Sequence, residues 1–383
     1  MSVYLDHAAT TRVRPEAAAA FADVMARDLG NPSGGHRSAQ AARRLLDDAR
    51  DTMAELLGAR PGEVVFTSGG TEADNLALVG VPAARPGRIV CASTEHHAVL
   101  EPAVAAGATV VGVLPDGALH LDALATALDD TVTLVSVMLV NNETGVVHDL
   151  DRVAEVVARR APHASLHTDA VQAFAWLDVA ALAAPAQLVS VSGHKFGAPA
   201  GVGVLVVREG TPLRAQLLGG GQERERRSGT PNVAGAVALA TAARSAADER
   251  KALVDRVGPW RDRLVAGIAA AVPGTHESAV PGTPGPTSDR SHKVAGVAHL
   301  CFDGVESEAL LFLLDDAGIE ASAASSCASG ALDPSHVLAA MGVDRRLARG
   351  SLRLSLGWST VEADVEAALA AVPAAVTRLR SFA

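Results

Sequence analysis

Between about residues 60 and 210, short apolar runs alternate with segments whose apolar residues recur at helical spacing. The runs at 63–66, 88–92, 109–114, 133–139, 165–168, 188–192 and 203–207 read as strands. Helices are expected to open near Thr71, His97 and Leu121, and to cover 150–160. Apolar strands alternating with helices predict an α/β fold built on a mostly parallel sheet with both faces covered. In such sheets ligands gather beyond the carboxyl ends of the strands. The polar motifs of this chain fall there.

After Pro231 the pattern becomes helical and alanine-rich to about residue 271. A stretch rich in Pro, Gly, Ser and Thr at 273–291 reads as a loop or linker. Beyond it, strands are expected at 295–302 and 352–356, and helices at 306–317 and 361–378. These make a second, smaller α/β unit. A length of 383 residues agrees with two domains.

Charge narrows the function classes. The net charge of −10 argues against direct nucleic-acid binding through bulk electrostatics. No basic and apolar leader is evident at the N-terminus, and no apolar run is long enough for a membrane span. The three cysteines, Cys91, Cys301 and Cys327, are too few and too scattered for a disulfide scaffold or a zinc site. A cytoplasmic protein with no bound metal is expected. Cys91 and Cys301 lie in strand-like apolar runs and read as core residues. Cys327 differs, because it lies among small and polar residues with no apolar periodicity.

The chain has 33 basic residues, of which only Lys195, Lys251 and Lys293 are lysines. Lys251 and Lys293 lie in charged or loop-like surroundings. Lys195 ends the motif Val191-Ser-Gly-His-Lys195 just past a predicted strand. A lysine amine can lose its proton and attack a carbonyl, which arginine cannot do. A snorkelling surface lysine is the competing reading. Ser68-Gly-Gly-Thr-Glu72 opens a helix after a strand, and helix N-termini bind phosphate; a plain N-cap would look the same. Asp169 follows another strand. It could pair with a pyridine nitrogen, with Gln172 on a ring hydroxyl, or it could simply cap a loop. His96 could stack on an aromatic cofactor and move protons. Asn141-Asn-Glu-Thr-Gly145 offers amide hydrogen bonds. Arg353, inside an apolar strand, calls for an anionic partner: a substrate carboxylate or a structural salt bridge.

These motifs, in order, resemble those of the NifS/IscS-type cysteine desulfurases, a branch of the class V aminotransferases that depends on pyridoxal 5′-phosphate. The match includes Tyr4-Leu-Asp-His-Ala-Ala-Thr-Thr11, Gly30-Asn-Pro-Ser33, Phe66-Thr-Ser-Gly-Gly-Thr-Glu-Ala-Asp-Asn75, Thr94-Glu-His96, Thr168-Asp-Ala-Val-Gln172, Ser190-Val-Ser-Gly-His-Lys195, Gly219-Gly-Gly-Gln-Glu223, Arg227-Ser-Gly-Thr230 and the segment from Cys327 to Val337.

The resemblance implies the transferase fold of type I, with a seven-stranded sheet in a large domain (14–256). A smaller α/β domain (1–13 and 257–383) would carry Cys327. It implies that Lys195 forms the Schiff base with the cofactor and takes the substrate Cα proton. His96 would stack on the ring, Asp169 would pair with its nitrogen and Gln172 with its hydroxyl. Gly70, Thr71, Ser192 and His194 would hold the phosphate, and Thr230 would reach the cofactor phosphate of the other subunit of a homodimer. Asn142 and Arg353 would fix the carboxylate of L-cysteine. Cys327 would take the sulfur as a persulfide and pass it to an acceptor protein, a scaffold of iron–sulfur cluster assembly or a thiolation enzyme.

Two segments depart from the family pattern: Ala324 replaces a usual glycine, and Ala198-Pro-Ala-Gly201 replaces a Gly-Pro-Lys-Gly. A selenocysteine lyase, a class V aminotransferase and a non-catalytic sulfur-trafficking subunit are the alternative readings.

Overall fold

The computed structural model describes residues 2–323 and 335–381. Its main sheet has seven strands in the order Val64–Thr67, Gly203–Val207, Leu188–Ser192, Ser165–Asp169, Val132–Ser136, Arg88–Ala92 and Thr109–Val111. Gly203–Val207 runs antiparallel to both of its neighbours. The five strands beyond it are parallel. The expected mostly parallel α/β sheet is present.

Alternation within each strand sends side chains to two separate cores. Val204 and Val206 join Leu166, Val135 and Val189 on one face, while Leu205 and Val207 join Leu134, Leu188 and Ile89 on the other. The helix Gly70–Ala84 covers the second face through Ala73, Leu76 and Ala77. Three strand residues at the carboxyl edge of that same face, Ser136, His167 and Ser190, are polar and fully buried.

The helices expected near Leu121 and over 150–160 are Leu121–Ala127 and Leu150–Arg160. The second begins at Asp149, whose side chain accepts from the Arg152 N–H, and ends in Arg159 and Arg160. An N-cap acceptor and basic last-turn residues both satisfy the helix dipole.

The helix Val233–Ala271 runs for 39 residues through Pro259. Its first half packs on the large core through Leu239 and Ala243, and its second half packs on a smaller core through Leu253, Val257 and Leu264. That smaller core holds a three-stranded antiparallel sheet, Ser351–Ser355, Val297–Phe302 and Thr275–Glu277. Val3–Tyr4 pairs in parallel with Ile319–Glu320 beside it. Among the described residues, no helix is long and apolar enough to cross a membrane.

Two sequence expectations need correction. Thr275–Glu277 is a strand inside the stretch read as loop, because it pairs with Val297–Phe302. Lys293, read as loop-like, is buried, and its Nζ lies 3.1 Å from Glu277 Oε1. Both features depend on partners distant in sequence.

Candidate active site

The carboxyl ends of the parallel strands open on a cavity of about 300 Å³. Gly70, Thr71, His96, Asn142, Asp169, Gln172, Ser192, His194, Lys195 and Arg353 all line it. Strand register explains the convergence. Asp169 and Ser192 end neighbouring parallel strands, Leu188–Ser192 and Ser165–Asp169. A single 3₁₀ turn, Gly193–Lys195, then swings the lysine over the sheet edge. Only glycine fits at 193: a Cβ there would lie 2.6 Å from Leu239 Cδ1 and 2.8 Å from Ala198 Cβ.

At the other end, Gly69 adopts φ 153° and ψ −174°, a region essentially closed to other residues. It turns the chain from the strand Val64–Thr67 into the helix Gly70–Ala84. A Cβ on Gly70 would meet Val171 Cγ2 at 2.8 Å, so glycine lets this helix N-terminus sit close against Val171 at the pocket edge, and a helix N-terminus can take an anion.

The N-terminal motif supplies a wall of the pocket. The carbonyl of Ala8 accepts from Lys195 Nζ at 2.6 Å and from Gln172 Nε2 at 2.6 Å, and that of Ala9 accepts from Lys195 Nζ at 2.8 Å. Thr10 Oγ1 lies 3.2 Å from His194 Nδ1. Sequence reasoning matched this motif without giving Ala8 or Ala9 a role. Their backbone carbonyls carry the contact, so no side chain signalled it.

Electrostatics differ from residue to residue. Burial pushes Asp169 up to about 6, opposed by the Val171 N–H at 2.8 Å and by Lys195. The Val171 N–H and Lys195 both favour its charged form. Burial, then Lys195 and the neighbouring histidines, push His96 down to about 4. Its Nδ1 accepts from the Ala98 N–H at 3.1 Å, which assigns the proton of the neutral ring to Nε2. Burial and Lys195 likewise lower His194 to about 4.

Arg353 donates to Asp6 Oδ1 at 2.8 Å and to the Asn142 carbonyl at 2.9 Å, and its Nε has no hydrogen-bond partner among the described residues. Asp6 is thus an anionic partner that sequence reasoning did not name. Asp74, also on the pocket wall, was quoted only as part of a motif.

Thr230 does not line this pocket. It is exposed and borders a separate cavity of about 100 Å³ with Ser68 and Arg227. Cys327 and Ala324 lie outside the described residues. Cys91 and Cys301 are buried, and burial pushes both thiols up to about 12, which suits core residues.

The family model of class-V aminotransferases matches residues 3–368. The chain belongs to that family. Its relatives place it in the NifS/IscS-like group. An "IscS-like cysteine desulfurase" of Mycobacterium tuberculosis is 45% identical, over 99% of this chain and 98% of its own length. A "Cysteine desulfurase NifS" of Azotobacter vinelandii is 39% identical, over 99% of this chain and 94% of its own. A solved structure titled "NIFS-LIKE PROTEIN" superposes with a TM-score of 0.89 at 32% identity, covering 99% of this chain and all of that one. The fold of this family member is therefore that of the NifS-like enzymes.

Proposed function

We propose that the protein is a cysteine desulfurase that uses pyridoxal 5′-phosphate to convert L-cysteine to L-alanine. The observation that carries this reading is the convergence in one cavity of an amine (Lys195), a buried carboxylate (Asp169) and an open helix N-terminus (Gly70, Thr71). That donor set fits the cofactor. The helix N–H groups with Ser192 and His194 would take the phosphate, Asp169 the ring nitrogen, Gln172 the ring hydroxyl and Lys195 the aldehyde carbon. When bound, the cofactor supplies an electron sink for the substrate Cα.

The chain's own groups do the rest. Lys195 Nζ, held at the Ala8 and Ala9 carbonyls, takes the Cα proton. His96, neutral with its proton on Nε2, is the nearby donor. Arg353, steadied by Asp6, binds the substrate carboxylate together with Asn142. Cys327 receives the sulfur: its thiol and the thiol of cysteine become a persulfide on Cys327, and cysteine leaves as alanine, with no outside oxidant or reductant. A sulfur-acceptor protein then takes the outer sulfur.

Exposure of Thr230 away from this pocket supports a homodimer in which it serves the partner's phosphate site. The smaller core, separate from the two that flank the main sheet, supports a division into a large domain (14–256) and a small one (1–13 with 257–383).

The test is mass spectrometry of the cofactor-loaded protein after incubation with cysteine. A gain of one sulfur on Cys327 together with alanine release is expected, and Cys327→Ala should lose the gain. Continued alanine release from wild-type protein with Cys327 unmodified would refute the assignment.

A further inference from the structure

Behind the pocket lies a chain of buried polar groups that the proposed chemistry does not use. Ser136 Oγ is 2.8 Å from His167 Nδ1, and His167 Nε2 is 3.0 Å from Ser190 Oγ. The Asp74 carboxyl lies at the same His167 nitrogen as Ser190. The four residues come from three adjacent strands and the helix Gly70–Ala84 that covers them. Two-residue periodicity puts His167 and Asp169 on the same face of their strand, so the pocket carboxylate sits beside this chain.

The cluster has an unusual charge balance. Asp74 is 1% exposed, and its Oδ1 has no hydrogen-bond partner among the described residues; it lies 3.6 Å from His167 Nε2. His167 offers no countercharge. Both of its ring nitrogens face hydroxyls, and burial pushes it down to about 3. Glu95, fully buried, accepts from the Met138 N–H at 2.7 Å, and its Oε2 has no hydrogen-bond partner among the described residues. Three carboxyls buried this close together do not all ionise.

We propose that Asp74 is held as a neutral acid and acts as a positioning residue: its proton lets it sit uncharged beside the chain Ser190–His167–Ser136 and leaves Asp169 as the charged carboxylate of the pocket. The direction of its acidity agrees. Burial, then the Asp169 charge, raise Asp74 well above the ordinary carboxylate range, and burial pushes Glu95 up to about 8. Asp74 lies one helical turn from Gly70, on the same side of the helix. An anion there would oppose the pull of the helix N-terminus on a phosphate. Neutrality of Asp74 therefore preserves that pull while the carboxylate beside it stays charged.

This inference rests on the proposed site only in assigning Asp169 to the cofactor ring, so its first test uses cofactor-free protein. Infrared spectra are taken at pH 7.5 on wild-type protein carrying ¹³C in the aspartate side-chain carboxyls. A protonated-carboxyl carbonyl band is expected that moves with the label and in D₂O, and it should vanish in Asp74→Asn. An aspartate label separates it from Glu95. If the labelled wild type shows no such band, or if the band survives in folded Asp74→Asn, the proposal is wrong. The wild-type arm decides even if the variant does not fold.

The second readout is equilibrium dialysis of pyridoxal 5′-phosphate. Asp74→Ala, which removes the polar group beside His167 Nε2, should weaken binding roughly tenfold, and Asp74→Asn should restore most of the loss. Equal binding by Asp74→Ala and wild type would remove the positioning role. No binding even by wild type would instead overturn the cofactor reading, while the infrared result would stand.

Discussion

Two buried groups of ionisable residues solve the same problem in opposite ways. In the smaller core, Glu277 is fully enclosed, with Lys293 Nζ at 3.1 Å and Arg290 Nε at 2.9 Å from both of its oxygens. Fixed cations balance the charge there. Burial alone would raise Glu277, but Lys293 and Arg290 outweigh it and hold the carboxyl below its ordinary value. In and behind the pocket wall, Asp74, Glu95 and Asp169 have a neutral histidine among them, and burial raises all three. Protons balance the charge there. A countercharge of side chains is permanent; a proton can be exchanged. The molecule places the exchangeable kind against the reacting cavity and the permanent kind where only shape matters.

The contrast breaks most sharply at Glu277. Glu277→Gln leaves two buried cations without their anion and should cost about 3–5 kcal/mol of stability, measured by urea unfolding. A loss under about 1 kcal/mol would mean that solvent reaches the cluster.

The pH dependence of stability sharpens it next. Glu95 holds its proton to about 8 when folded and to about 4.5 in its ordinary state, so between those values the unfolded chain releases a proton that the native one keeps. Its contribution to stability therefore falls as pH rises across that window, by at most about 1.4 kcal/mol per pH unit. Glu95→Gln should flatten that limb of the stability–pH curve. Glu277 behaves in reverse: its contribution is present above the ordinary carboxylate value and disappears on acidification through its lower folded value. A Glu95→Gln profile parallel to wild type would contradict this account.

The smallest effect is expected at Lys251. Its side chain is 87% exposed and pairs with Asp255, so Lys251→Ala should leave the unfolding midpoint unchanged within error. The contrast with buried Lys293 would then be one of location alone.

Much of this was legible in the chain. The helix expected at 150–160 is Leu150–Arg160, because a capping Asp149 and apolar spacing agree on it. Asp169, Lys195, Gly70 and Thr71 were found because strand ends, glycines and a rare lysine are local signals. The acidic cluster was not. Asp74 reads as an acidic residue near a helix start, which is ordinary, and only the packing of that helix on three strands sets it beside His167 and Asp169. Lys293 was misplaced for the same reason. Its meaning lies in a carboxylate on a strand that the Pro- and Gly-rich composition around it concealed. Arg353 was flagged correctly as needing an anion, yet Asp6, at the far end of the chain, could not be named from spacing.

The first residues of the chain brace Lys195, steady Arg353 and pair with Ile319–Glu320. During synthesis Asp6, Ala8 and Ala9 leave the ribosome long before Lys195 and Arg353, so the contacts among them form only once those distant segments have emerged. The pocket therefore closes late in folding. An insertion beside Asp6 would burden catalysis, whereas one after the helix Glu362–Arg380 would leave it alone.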